Sequence, residues 1–102
     1  MSFTPELEKR LHPLLNRGAD LSIASGGFNT AEDFAAAAHA ARNTNVPFMV
    51  LRHAVVDERK SLKEAIHLLK PDTNASSEAT LARAEARMDL AQAQSDFAAT
   101  AE

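Results

Sequence analysis

An all-α fold is predicted by three features of the sequence: helix-capping residues, apolar residues at helical spacing, and a high alanine content. Thr4, Thr30 and Ser61 each precede a stretch in which apolar residues recur every three or four positions. Strand-forming residues are scattered and show no alternation of period two. The sequence therefore predicts a small bundle of four short helices with a long C-terminal helical tail.

The first predicted helix begins after Thr4, with Pro5 at the first helical position. Its apolar stripe consists of four leucines: Leu7, Leu11, Leu14 and Leu15. Pro13 either kinks this helix or starts a new turn, and Gly18 ends it.

A short segment, 19–24, leads from the first helix to the second. We expect Leu21 and Ile23 to face the same way there, and Phe28 to enter the core after the Gly26-Gly27 turn. Asn29 or Thr30 is the predicted cap of the second helix, and Thr30 with Asp33 resembles a capping box in which Asp replaces Glu. Its predicted inner face is made of Phe34 and alanines: Phe34, Ala37, Ala38 and Ala41.

Two further helices are predicted before residue 71. Pro47 starts the third helix after a polar turn at 43–45, and Ser61 with Glu64 forms a capping box for the fourth, which Pro71 ends. The predicted core of the bundle combines residues from all four helices and the turn before the second: Leu11, Phe28, Phe34, Phe48, Leu51, Ile66 and Leu69.

The composition changes at Pro71, so we predict a helical domain at 1–71 and a linker with a C-terminal helix at 72–102, docked on the domain or partly disordered. Ser77 is the predicted cap of this helix. Five of its residues fall near heptad spacing, with Ser95 interrupting them: Leu81, Ala84, Met88, Ala91 and Ala98. Leu90 and Phe97 lie on another face, and we name four apolar residues as interaction candidates: Leu81, Met88, Leu90 and Phe97.

The middle of the chain, residues 21–71, resembles an uncharacterised family of small helical bacterial proteins from Acidobacteria. The likeness rests on short phrases in order: Ser25 to Asn29, Phe34 with Ala37 to His39, Asn43 to Phe48 with Leu51, and Ser61-Leu62 with Ala65-Ile66. This resemblance implies that 26–71 is the structural unit and that the C-terminal tail varies. It supplies no functional residues.

Composition and charge exclude several classes of function. The chain has no cysteine, which removes disulfides, thiolate metal sites and cysteine nucleophiles. Its net charge is −3, which argues against a nucleic-acid or anionic-membrane surface. No apolar run reaches the length of a membrane span. From the N-terminal sequence we expect a cytoplasmic protein, or a secreted or periplasmic one if a signal peptide has been removed.

No residue pattern predicts catalysis, a cofactor or a metal site. Neither a second histidine nor a carboxylate is placed one turn from His39, His53 or His67 on an evident inner face, as a zinc site usually requires. The carboxylates cluster at helix starts and in the 57–58 loop, where capping or solvation accounts for them. We therefore predict a protein that is not an enzyme.

The alternative function is DNA binding. Residues 34–56 have the outline of a helix-turn-helix, and Arg42, Arg52 and His53 would contact the nucleic acid. Against this, the second helix begins Pro-Phe-Met-Val and offers no polar groups to base edges at that end. We favour a protein–protein interaction or structural domain that self-associates through its C-terminal helix.

Overall fold

The structure is a computed structural model that describes residues 3–15 and 18–100 of the 102-residue chain. All the regular elements in these residues are helical, which confirms the all-α prediction. They comprise α1 (Pro5–Leu11), α2 (Leu21–Ser25), α3 (Ala31–Thr44), α4 (Phe48–Arg52), α5 (Leu62–Leu69) and α6 (Ala75–Thr100). A 3₁₀ turn, His12–Leu14, follows α1, and a π-helical turn, His53–Asp57, continues α4. Residues 101 and 102 of the predicted tail lie outside the described residues.

Three predicted helix caps are confirmed. The side-chain oxygens of Thr4, Thr30 and Ser61 each accept a hydrogen bond from the backbone N–H three residues later, at 3.1–3.3 Å. Such bonds satisfy an N–H group that has no partner within the helix. Short polar side chains therefore fix where α1, α3 and α5 begin.

Two local predictions are wrong. Leu21 is buried whereas Ile23 is 66% exposed, because α2 is a helical turn in which residues two apart point in nearly opposite directions. Asn74, and not Ser77, is the side-chain cap of α6: its Oδ1 accepts the Ser77 N–H at 3.0 Å. The long helix therefore starts at Ala75, three residues before Glu78, the first residue after the expected cap.

The interior is centred on Phe34. Its ring centroid lies 5.7 Å from those of Phe3, Phe28 and Phe48, and the Phe48 ring meets it nearly edge-on. The largest fully buried side chains are all predicted core residues: Phe34, Leu11, Leu51 and Ile66. The other three, Phe28, Phe48 and Leu69, are partly buried against them.

The most extensive packing joins α3 and α6. The two helices run antiparallel, since Glu85 contacts Asn43 whereas the later Asp89 contacts the earlier His39. Their facing surfaces consist largely of alanine, which allows two helices to approach closely. The buried alanines of α6 are Ala75, Ala82, Ala86 and Ala93. Both clusters of buried residues contain side chains from before and after residue 71, so the packing does not divide there.

Candidate functional site

Two large apolar side chains near the middle of α6 face away from the protein. Leu81 is 50% exposed and Met88 is 70% exposed, whereas the apolar residues that this helix buries are alanines. An amphipathic helix normally turns its largest apolar side chains towards the core. The orientation of α6 therefore needs an explanation other than the burial of large apolar groups.

Part of that explanation is a buried carboxylate, Asp89, which is 7% exposed. One of its oxygens accepts a hydrogen bond from Arg10 Nε at 3.2 Å, and the other lies 2.5 Å from His39 Nε2. This carboxylate thus joins α6 to both α1 and α3. Leaving such a group buried without partners costs free energy, so these contacts favour the observed rotation of α6.

Further ion pairs hold both flanks of α6 against α3. Arg83 Nη1 donates to Asp33 Oδ1 at 2.6 Å, and Arg87 Nε donates to Glu32 Oε1 at 2.6 Å. On the opposite flank, Asn43 Nδ2 donates to Glu85 Oε1 at 2.6 Å. Together with the Asp89 contacts, these bonds set which face of the helix meets the body and which face meets water.

The ring of His39 lies between two carboxylates. Its Nδ1 is 3.6 Å from Glu85 Oε2, and its Nε2 is bonded to Asp89. The sequence-based interpretation that capping or solvation accounts for the carboxylates is therefore wrong for Asp89, which is buried in the middle of a helix. Because acidic groups engage both ring nitrogens, the arrangement ties helices together and leaves neither nitrogen facing a ligand. The described residues, 3–15 and 18–100, contain no group of three or more residues placed to hold a metal ion.

The outward face of α6 carries the predicted heptad residues. We call this face the outer seam and define it by six exposed residues: Leu81, Ala84, Met88, Ala91, Ser95 and Ala98. The other two interaction candidates lie elsewhere on the helix. Leu90 is partly buried against the core, and Phe97 is 53% exposed in the last turns, beyond the buried Ala93. The structure thus brings Leu81 and Met88 onto one surface and separates them from Leu90 and Phe97.

The structure places Arg52, the central residue of the DNA-binding hypothesis, against α2. Its Nε donates to the Ala24 carbonyl at 3.1 Å, and its Nη2 donates to the Gly26 carbonyl at 2.5 Å. These two bonds satisfy carbonyl groups at the end of α2. The guanidinium group therefore connects α4 to α2 inside the molecule.

Arg42 and His53 also make internal contacts. Arg42 Nη1 donates to the Pro13 carbonyl at 3.2 Å, and His53 Nδ1 lies 2.8 Å from Asp57 Oδ2 one turn away. Within α4, Leu51 is fully buried, while Met49 and Val50 are about half exposed. The exposed side of this short helix is thus apolar, which does not match the polar groups that base edges present.

Comparison with known proteins provides no functional assignment. No family model, curated protein or solved structure matches this chain. The resemblance of residues 21–71 to the Acidobacteria family stays a prediction. Among the helices of the described residues, none combines the length and the apolar character that crossing a membrane demands.

Proposed function

We propose that this chain is a non-enzymatic protein–protein interaction domain that pairs with a second copy through the outer seam of α6. The supporting observation is that Leu81 and Met88 face water on a helix whose inner face carries alanines. Exposing two large apolar residues one heptad apart has no benefit for the monomer. A second helix laid along the seam would cover both.

The spacing of the seam residues fits an antiparallel pair. If Met88 faces Ala91 of the partner subunit, then Leu81 faces Ala98 of the partner subunit, and Ala84 faces Ser95 of the partner subunit. Each large side chain then meets a small one, so the distance between the helices stays nearly constant. A parallel pair would instead alternate Leu–Leu or Met–Met layers with Ala–Ala layers, which leaves gaps in a straight interface.

The residues flanking the seam are compatible with this register. Arg87 would lie opposite Gln94 of the partner subunit, and Glu85 opposite Gln92 of the partner subunit. No like charges face one another across this interface, which removes a source of repulsion that specific helix pairs avoid. Moving the register by one heptad towards the N-terminus would bring Arg87 against Arg87 of the partner subunit. The flanking charges therefore disfavour that alternative register.

The expected affinity is modest. Fully burying a Leu or Met side chain contributes about 1.5–3 kcal/mol, and each copy supplies two such residues that are already partly covered. Association itself costs several kcal/mol. The two contributions are of similar size, so we expect a weak, reversible dimer with a dissociation constant on the order of 1 mM.

Sedimentation of the full chain from about 10 µM to about 1 mM tests the proposal. We expect the apparent mass to rise with concentration towards that of a dimer. The double variant Leu81→Gln/Met88→Gln should remain monomeric over the same range because it removes the apolar contacts of the seam. Surface substitutions are preferable to deleting 77–102, since that deletion also removes the buried Ala82 and Asp89.

The matched control is the double variant Ile23→Gln/Leu68→Gln. These two residues are 66% and 56% exposed on α2 and α5, so they change the same amount of exposed apolar surface away from α6. This variant should dimerise like the original chain. A monomer at every concentration, or equal loss in both double variants, would contradict pairing through the seam.

DNA binding has less support. Its three candidate residues, Arg42, Arg52 and His53, all make hydrogen bonds within the molecule, each to a different partner. No observation on α4 favours a nucleic-acid partner over a protein one.

A further inference from the structure

A cleft of about 640 Å³ lies on a different part of the molecule from the outer seam. Its two rims are the loop before α3, with Gly27 to Asn29, and the loop before α5, with Arg59 to Ser61. Arg83 of α6 completes the wall. The volume falls within the range that accommodates small organic ligands.

The charge of the cleft is opposite to that of the whole chain. Arg59, Lys60 and Arg83 line it together with one acidic residue, Asp33, whereas the chain carries a net charge of −3. The Asp33 carboxylate is bonded to Arg83, which fixes that guanidinium group in the wall. Within residues 3–15 and 18–100, Arg59 and Lys60 form no ion pair. Two cationic side chains therefore remain free to meet an anion at this point.

The backbone at Arg59 is also unusual. It has a φ of +56°, a left-handed conformation that glycine or asparagine adopts far more readily than arginine does. The conformation is held by the next residue, whose N–H donates to the Ala54 carbonyl at 3.0 Å. Arg59 directly follows the C-cap residue Glu58, where helices commonly end in a left-handed residue, so the conformation fixes the course of this rim of the cleft.

The π-helical turn His53–Asp57 lies directly before this loop, and two of its residues, Val55 and Val56, line the cleft. Turns of this type occur frequently at functional sites. With Phe28 and Leu62, these valines form an apolar wall beside the cations. The opposite rim comes close at Gly27, where the φ is +88° and an added Cβ would overlap Val56.

We propose that this cleft binds a small organic phosphate, with the phosphate group on Arg59, Lys60 and Arg83 and the organic part on the apolar wall. The three cations and the one carboxylate of the lining leave a formal charge of +2, which matches the double negative charge of a phosphate monoester better than the single charge of a carboxylate. Arginine supplies the planar pair of N–H donors that phosphate oxygens accept. The site is independent of self-association, since none of its lining residues belongs to the outer seam.

The test is a titration of the full chain with phenyl phosphate, followed by backbone amide shifts in NMR spectra. We expect saturable shifts at Gly27, Asn29 and Ser61, with inorganic phosphate and phenol each binding at least about tenfold more weakly because each lacks one half of the contact. Benzoate separates a phosphate preference from general anion binding. Equal affinity for benzoate would overturn the phosphate assignment.

Arg59→Gly is the decisive variant, because glycine accepts the left-handed backbone and the fold should be no less stable. We expect it to weaken phenyl phosphate binding by about tenfold or more, since it removes one charge-assisted contact. Lys63→Ala is the matched control: this exposed lysine lies on α5 and does not line the cleft, and its removal should leave binding unchanged. Equal loss in both variants, or shifts spread over surface lysines, would show non-specific attraction of an anion and contradict the site.

Discussion

The inner face of α6 carries alanines and the buried Asp89, whereas its outer face carries Leu81 and Met88. The inner face meets α3 and α1 through close packing and ion pairs. The outer face is largely exposed to water. The comparison shows that side-chain size and charge pairing, rather than total hydrophobicity, can decide how a helix is oriented on a protein.

The largest effect that we expect is the formation of a disulfide across the outer seam, which should be nearly all-or-none. The chain contains no cysteine, so single cysteines introduced into the seam can pair only with each other. Mixing the Ser95→Cys and Ala84→Cys chains under oxidising conditions should give the mixed disulfide, because the antiparallel register places these positions opposite each other within the roughly 7 Å Cα separation that a disulfide tolerates. Mass spectrometry of the products identifies which two chains the disulfide joins. A disulfide between two Ser95→Cys chains would indicate a parallel pair instead.

On the inner face, Asp89→Ala should lower the free energy of unfolding by about 3 kcal/mol, since it leaves Arg10 and the largely buried His39 without their shared acceptor. Urea denaturation followed by circular dichroism measures the change. The exposed Asp72→Ala is the control and should change stability by less than about 0.5 kcal/mol. If both substitutions cost the same, the buried carboxylate would not be what holds α6 in place.

A smaller difference in stability is expected when the same Ala→Leu substitution is made on each face of α6. Ala86→Leu adds a large side chain to the fully buried contact between α3 and α6 and should cost about 1–3 kcal/mol through overpacking. Ala84→Leu makes the same change on the exposed outer seam and should alter the stability of the monomer by less than about 0.5 kcal/mol. Unfolding at low protein concentration compares them without a contribution from dimerisation. Similar losses for both would mean that the seam is covered in the monomer.

Local sequence patterns predicted much of the fold because the interactions behind them are local. Thr4, Thr30 and Ser61 each bond to an N–H only three residues away, and a reader of the sequence can recognise that spacing. Phe34 and Leu51 occupy the apolar face that helical spacing predicts, and both are fully buried. The all-helical architecture and the centre of the core followed from these features.

The contacts of α6 could not be predicted in the same way. His39 and Asp89 are 50 positions apart, and neither residue stands out from its neighbours in the sequence. Alanine gives no signal of burial because it is common on exposed helix surfaces as well. The cleft was missed for a related reason: Arg59 and Lys60 resemble an ordinary solvated loop until the fold places Arg83 beside them.

The docking of α6 on α3 also has a consequence for how the protein is made. Ala93 and Asp89 contribute to the interior, so the ribosome must release the chain as far as Ala93 before the fold can close. Until then, the alanine face of α3 stays uncovered in the nascent polypeptide. Products of premature termination would carry that uncovered face permanently, and chaperones and proteases would be expected to recognise them.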